Sequence, residues 1–128
     1  MKKITVFAMS LALVLTFSAV SAFAKTKPTV VIIKADWCSA CQKVDPIMMD
    51  LMKQYGAKLN FVMLDVTNDE TTAQAAAKAK SLGLTSFFEA NKKMTSTVAV
   101  FNGKKQTFKT AKNYNRADYA AAFNKALK

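Results

Sequence analysis

Thr29-Val30-Val31-Ile32-Ile33-Lys34-Ala35-Asp36-Trp37-Cys38-Ser39-Ala40-Cys41 is the stretch whose reading decides the fold. Val30 through Ile33 are four successive β-branched apolar residues, so the strand Thr29–Ala35 has both faces covered, as at the centre of a sheet. After it the apolar positions fall at Cys41, Val44, Ile47, Met48, Leu51 and Tyr55. That is helical spacing over Cys38–Tyr55, and Gly56 ends it. Cys38 therefore stands at a helix N-terminus, where unpaired amides and the helix dipole stabilise a thiolate. Cys41 lies about one turn on, placed to attack a mixed disulfide formed at Cys38. A structural disulfide can use the same spacing. A loop that small constrains the unfolded chain little, so exchange is the favoured reading.

Working outward, Lys58–Val66 contains the apolar run Phe61-Val62-Met63-Leu64, read as another central strand. Thr67-Asn68-Asp69-Glu70 has the form of a capping box with acids in the first helical turn. Ala75, Ala76, Ala79 and Leu82 supply the buried stripe of that helix, and Gly83 stops it. Leu84–Lys93 holds a short helical extension at Phe87-Phe88-Glu89-Ala90. Thr97–Phe101 is a third strand, and Asn102-Gly103 is a strong hairpin signal. Lys104–Thr110 alternates polar and apolar residues like an edge strand. A last helix starts near an Asn115 cap and buries Tyr119, Ala120, Phe123 and Leu127. The order β-α-β-α-β-β-α implies an α/β domain in which parallel strands joined by crossovers meet an antiparallel hairpin.

The composition excludes much. The 128 residues include two cysteines and no histidine. A haem-attachment pair needs a following histidine, a zinc site needs four ligands, and a Cys–His hydrolase needs its base. No metal and no cofactor is implied. The formal charge of +11 reads first as a solvated basic surface attractive to acidic partners or anionic lipid. The lysines are scattered rather than clustered, which argues against nucleic acid. Met1-Lys2-Lys3 followed by an uncharged stretch to Ala24, with Ala22-Phe23-Ala24 at its end, has the form of a signal peptide. The expected organisation is therefore a signal peptide at 1–24 and one domain at 25–128, placed in the periplasm or secreted. An uncleaved membrane anchor is the alternative, because ~20 apolar residues can span a bilayer.

With Ala35-Asp36-Trp37-Cys38-Ser39-Ala40-Cys41, and Pro46 five positions after the second Cys, the sequence resembles the thioredoxin superfamily over about residues 29–127. The resemblance implies a thioredoxin fold, with a central mixed sheet of about four strands flanked by helices. It implies that Cys38 is the exposed nucleophile and Cys41 the shielded resolving thiol. It also implies that Trp37 flanks the partner-docking surface and that Pro46 kinks the helix. The buried acid and the buried lysine of the family fall at Ile32 and Met63, so the usual internal proton relay is missing. Asp36 and Asp45 are the nearest carboxylates, expected at the strand end and on the solvent side of the helix. The family's cis-proline falls at Ser96, in a loop Thr95-Ser96-Thr97 with an expected trans bond, and Thr95 and Ser96 join Trp37 as candidate docking residues. The function these features imply is an exported thiol–disulfide oxidoreductase, a monomer acting on protein disulfide or dithiol substrates. It would draw on a membrane-bound or soluble electron donor. Ser39-Ala40 carries no thiolate-stabilising histidine, which favours reduction or exchange over strong oxidation. The alternative is a redox-inert binding module with a basic docking face.

Overall fold

In the computed structural model the described residues are 26–128; the signal-peptide reading of residues 1–24 lies outside them. The elements run β1 (Thr29–Lys34), α1 (Ser39–Tyr55), β2 (Asn60–Asp65), α2 (Asp69–Ser81), α3 (Thr85–Asn91), β3 (Thr97–Asn102), β4 (Lys105–Ala111) and α4 (Arg116–Ala126). One sheet has the order β2-β1-β3-β4. β1 pairs parallel with β2 and antiparallel with β3, and β3 pairs antiparallel with β4. The expected mixed sheet flanked by helices is what forms. One strand is corrected: β2 is an edge strand, not a central one. Its apolar run reads as central because helices cover both faces of the sheet, and sequence reports cover on the faces, not the number of paired neighbours.

The two-residue periodicity of strands divides the core into two layers. Val30 and Ile32 of β1, with Val98 and Val100 of β3, face α1 and α4, where Val44, Met48, Leu51, Tyr119 and Phe123 are buried. Val31 and Ile33, with Ala99 and Phe101, face α2 and α3, where Ala75, Ala79, Leu84 and Phe88 are buried. Each fully buried Ile or Val contributes about 1.5–3 kcal/mol. Phe123 closes the first layer with edge-on contacts to Tyr55 and Phe61, at 5.3 and 5.8 Å between ring centroids. Phe87 meets Phe101 in the second layer at 5.2 Å.

Helix ends follow their local chemistry, with three adjustments. The α2 capping box sits one residue later than expected: Thr71 N donates to Asn68 Oδ1 (2.9 Å) and Asn68 N to Thr71 Oγ1 (3.1 Å). Thr67 is occupied elsewhere, as described below. Leu82 is 47% exposed, not part of the buried stripe, because α2 ends at Ser81. Gly83, at φ +72°, turns the chain so that Leu84 enters the core instead, its amide donating to Ala79 O at 2.8 Å. Gly56 ends α1 in ordinary right-handed geometry, so glycine is required there for another reason: a Cβ would meet Met52 O at 2.6 Å. α1 continues unbroken through Pro46. In α4 the Asn115 cap is as expected, and Ala122 and Ala126 are buried beside Tyr119 and Phe123, while Ala120 and Leu127 are only partly covered.

Candidate active site

The end of β1 and the start of α1 place the two cysteines. Cys38 is the N-cap residue of α1, in extended conformation, so its Sγ faces the unpaired amides of the first turn. Cys41 N donates to Cys38 Sγ at 3.1 Å. Both thiols are free. The expectation of an exposed Cys38 is corrected: it is 6% exposed and Cys41 1%. The pair packs with Ala35, Ala40 and Val66.

The two thiols are driven apart electrostatically. Burial pushes Cys38 up. Hydrogen bonds from the Cys41 thiol, the Thr95 hydroxyl and the amides of Cys41 and Ala40 outweigh it and hold Cys38 below its ordinary value of 9.0. Burial pushes Cys41 up to about 11, helped by its hydrogen bond to Cys38, the charge on Cys38 and the charge on Asp45, against one favourable amide from Ala35. A thiolate-stabilised nucleophile beside a protonated, covered thiol is the arrangement that disulfide exchange needs.

Ile32 and Met63 stand side by side in the β1–β2 register, so an apolar pair occupies the place where the resemblance would have an acid and a lysine. The charge near Cys41 comes instead from the helix. Asp45, one turn after Cys41, is only partly exposed and lies 3.8 Å from the Lys34 ammonium. Its Oδ1 is buried and makes no hydrogen bond within the protein. This corrects the expectation that Asp45 faces solvent. The i, i+4 spacing to Cys41 was the signal that could have revealed it.

Trp37 is 64% exposed and held in place: its Nε1 donates to Thr67 O at 2.9 Å. Thr67 also accepts from Asp36 N on Oγ1 at 2.9 Å, and both its amide and its hydroxyl donate to Asp65 Oδ1. These hydrogen bonds, led by that of the Thr67 hydroxyl, hold the Asp65 carboxyl below its ordinary range. Sequence reasoning missed this Asp65–Thr67 clamp, which fixes both residues preceding Cys38.

Of the loop residues, Thr95 is half-buried and reaches Cys38. Ser96 is 1% exposed, at φ +67° and with a trans peptide. Its amide donates to Ile33 O at 2.8 Å and its Oγ accepts from Lys112 N at 3.0 Å. Ser96 thus anchors the loop rather than presenting it. Among the described residues no cluster of three or more His, Cys, Asp or Glu side chains could hold a metal ion, and no helix is long and apolar enough to cross a membrane.

The fold has well-defined counterparts. The thioredoxin of Fasciola hepatica superposes with a TM-score of 0.57 at 20% identity, over 80% of this chain and 83% of that one. A Malassezia sympodialis thioredoxin gives 0.57 at 18%, over 80% and 79%. Among curated proteins, the thiol:disulfide interchange protein TxlA homolog of Synechocystis is 46% identical over 44 residues, 34% of this chain and 24% of that protein. The chloroplastic thioredoxin-like protein HCF164 of Arabidopsis thaliana is 47% identical over 47 residues, 37% of this chain and 18% of that protein. The matched stretches thus span a quarter or less of these two relatives. The family model for thioredoxin matches residues 15–114, more than half of the sequence, and the chain belongs to the thioredoxin family.

Proposed function

We propose that the protein is an exported thiol–disulfide oxidoreductase whose chemistry resides in Cys38 and Cys41. The observation that carries this reading is the split between the thiols, Cys38 capped by the Cys41 amide at 3.1 Å and held low, Cys41 pushed up to about 11. The Cys38 thiolate attacks one sulfur of a client disulfide, forming a mixed disulfide and expelling the other client sulfur as a thiolate. Cys41 then loses its proton and attacks Cys38 Sγ. The second client thiolate leaves, two electrons have passed to the client, and the protein carries a Cys38–Cys41 disulfide. A dithiol donor reverses the last step and restores the pair. Trp37 and Thr95 flank the attacked sulfur as docking residues, with Ser96 holding the loop beneath them.

The direction we favour is reduction or exchange, since Ser39-Ala40 adds no cationic side chain to stabilise the thiolate further. Export rests on residues 1–24 acting as a signal peptide that leaves 25–128 as the mature domain. Insulin reduction with dithiothreitol as electron source tests the activity. Cys38→Ser abolishes turnover, and Cys41→Ser accumulates mixed disulfides with client proteins. A wild-type protein that reduces nothing, with Cys38 no more reactive to alkylation than Cys41, would leave the redox-inert binding module as the better reading.

A further inference from the structure

Beside the cysteine pair lies a groove of about 400 Å³ lined by Trp37, Val66, Thr72, Lys92 and Lys93. Val66 connects it to the site, because the same side chain packs against Ala35, Cys38 and Cys41. Its charged lining residues are both cations, Lys92 and Lys93, and no acid lines it. Lys92 is partly neutralised by Glu89, whose Oε2 is 2.6 Å from its Nζ. Lys93 is exposed and makes no ion pair among the described residues. The exposed indole of Trp37 also lines it, kept in place by its bond to Thr67 O. The groove thus combines a rigid apolar plate with an unpaired cation, next to the sulfur that reacts.

We infer that this groove seats an acidic side chain flanking the client disulfide, with Lys93 as the specificity-determining charge and Trp37 covering the client backbone. The inference rests on the oxidoreductase reading and names the substrate class it would prefer: disulfides in acidic sequence. Rim charges of this kind act on encounter rate and partner choice more than on the chemical step, and at this range salt screens them.

The test uses three peptides that share one intramolecular disulfide and differ only in having Glu, Gln or Lys beside it. Each is reduced by the protein, with dithiothreitol as donor, at low ionic strength. The wild type is expected to rank them Glu, Gln, Lys in kcat/KM, by about 2–5-fold per step, as one exposed ion pair gives. Lys93→Glu reverses the determining charge and should cancel the wild-type Glu/Lys ratio, about 4–25-fold over the two steps, or invert it, and added salt should flatten the ranking. Lys104→Glu makes the same change in net charge in the β3–β4 turn, at the far end of a strand about 17 Å long, and should move the ratio less than about twofold. A Glu/Lys ratio unchanged by Lys93→Glu, or changed equally by Lys104→Glu, overturns the groove as the source of selectivity while the Gln peptide still reports turnover. If the wild type reduces none of the three peptides, the oxidoreductase reading itself fails, and the substrate preference falls with it.

Discussion

In the proposed mechanism Cys41 sets the speed at which a mixed disulfide is resolved, and its surroundings give that speed a definite pH dependence. Its thiol lies at about 11 rather than 9.0, which leaves about 100-fold less thiolate at neutral pH. A more basic thiolate is a better nucleophile, with a Brønsted slope of ~0.4–0.5, and this returns about 6–10-fold. The net expectation is resolution roughly 10–15-fold slower than an ordinary thiol would give in the same position, and this is an upper bound. Once Cys38 is in a mixed disulfide its charge is gone, and of the causes that raise Cys41 its burial and the Asp45 carboxylate persist. A chromogenic aromatic disulfide such as dithionitrobenzoate reads the two steps separately. Its first chromophore leaves when Cys38 attacks and the second when Cys41 resolves. The second phase should accelerate about tenfold per pH unit, with no plateau below about pH 9. Asp45→Asn removes the smallest of the raising causes and should speed that phase by less than about 2-fold at fixed pH, a shift of under about half a unit being partly offset by the weaker nucleophile. A second phase that is flat between about pH 6 and 9 would refute the reasoning, because it would mean that Cys41 meets a base within the protein.

Three further outcomes follow from the same geometry. In Cys41→Ser, Cys38 should titrate in a single step below 9.0, followed by thiolate absorbance; two steps would reveal a coupled acid next to Cys38. Ser96→Pro should destabilise the fold by about 2–4 kcal/mol in denaturant melts, because proline fixes φ near −65° and removes an N–H, whereas Ser96 sits at +67° and donates to Ile33 O. Full tolerance of the proline would contradict this loop geometry. Thr67→Val should cost about 1–2 kcal/mol and alter Trp37 fluorescence. The folded-state pKa of Asp65 is depressed, so its stabilisation is present above the unfolded value of 3.8 and lost as pH falls through the folded one. The variant should therefore lose less stability on acidification than the wild type, and equal losses would show that the Thr67 clamp does not control Asp65.

What was legible in the sequence is what local chemistry fixes. The apolar run at Val30–Ile33, the Cys38 cap, the Asn115 cap and the Asn102-Gly103 turn, with Gly103 at φ +62°, each depend on residues within a turn or two of one another. Their elements appear where the pattern places them. The unread features depend on partners distant in the chain. Asn68 rather than Thr67 caps α2 because Thr67 bonds Asp36, 31 positions away. Ser96 tolerates a left-handed backbone because Ile33 and Lys112 supply its hydrogen bonds. β2 sits at the sheet edge although its faces read as central.

The same division runs through the site. The inequality of the two thiols joins a helix start, whose amides help to lower Cys38, to burial, which raises Cys41, and spacing could anticipate only the first. Who docks, and how, depends on β1, the α3–β3 loop and the β2–α2 turn converging around Cys38, and none of those three segments carries a local signature of the task. Trp37 gains its fixed pose from Thr67, Thr95 reaches Cys38 through a loop held by Ser96, and Lys93 meets the groove only because α3 ends beside Val66. The cysteine pair itself is thus encoded over four residues, whereas the proposed docking residues come from segments distant in the sequence, and Thr95, which also helps hold Cys38 low, ties the two together.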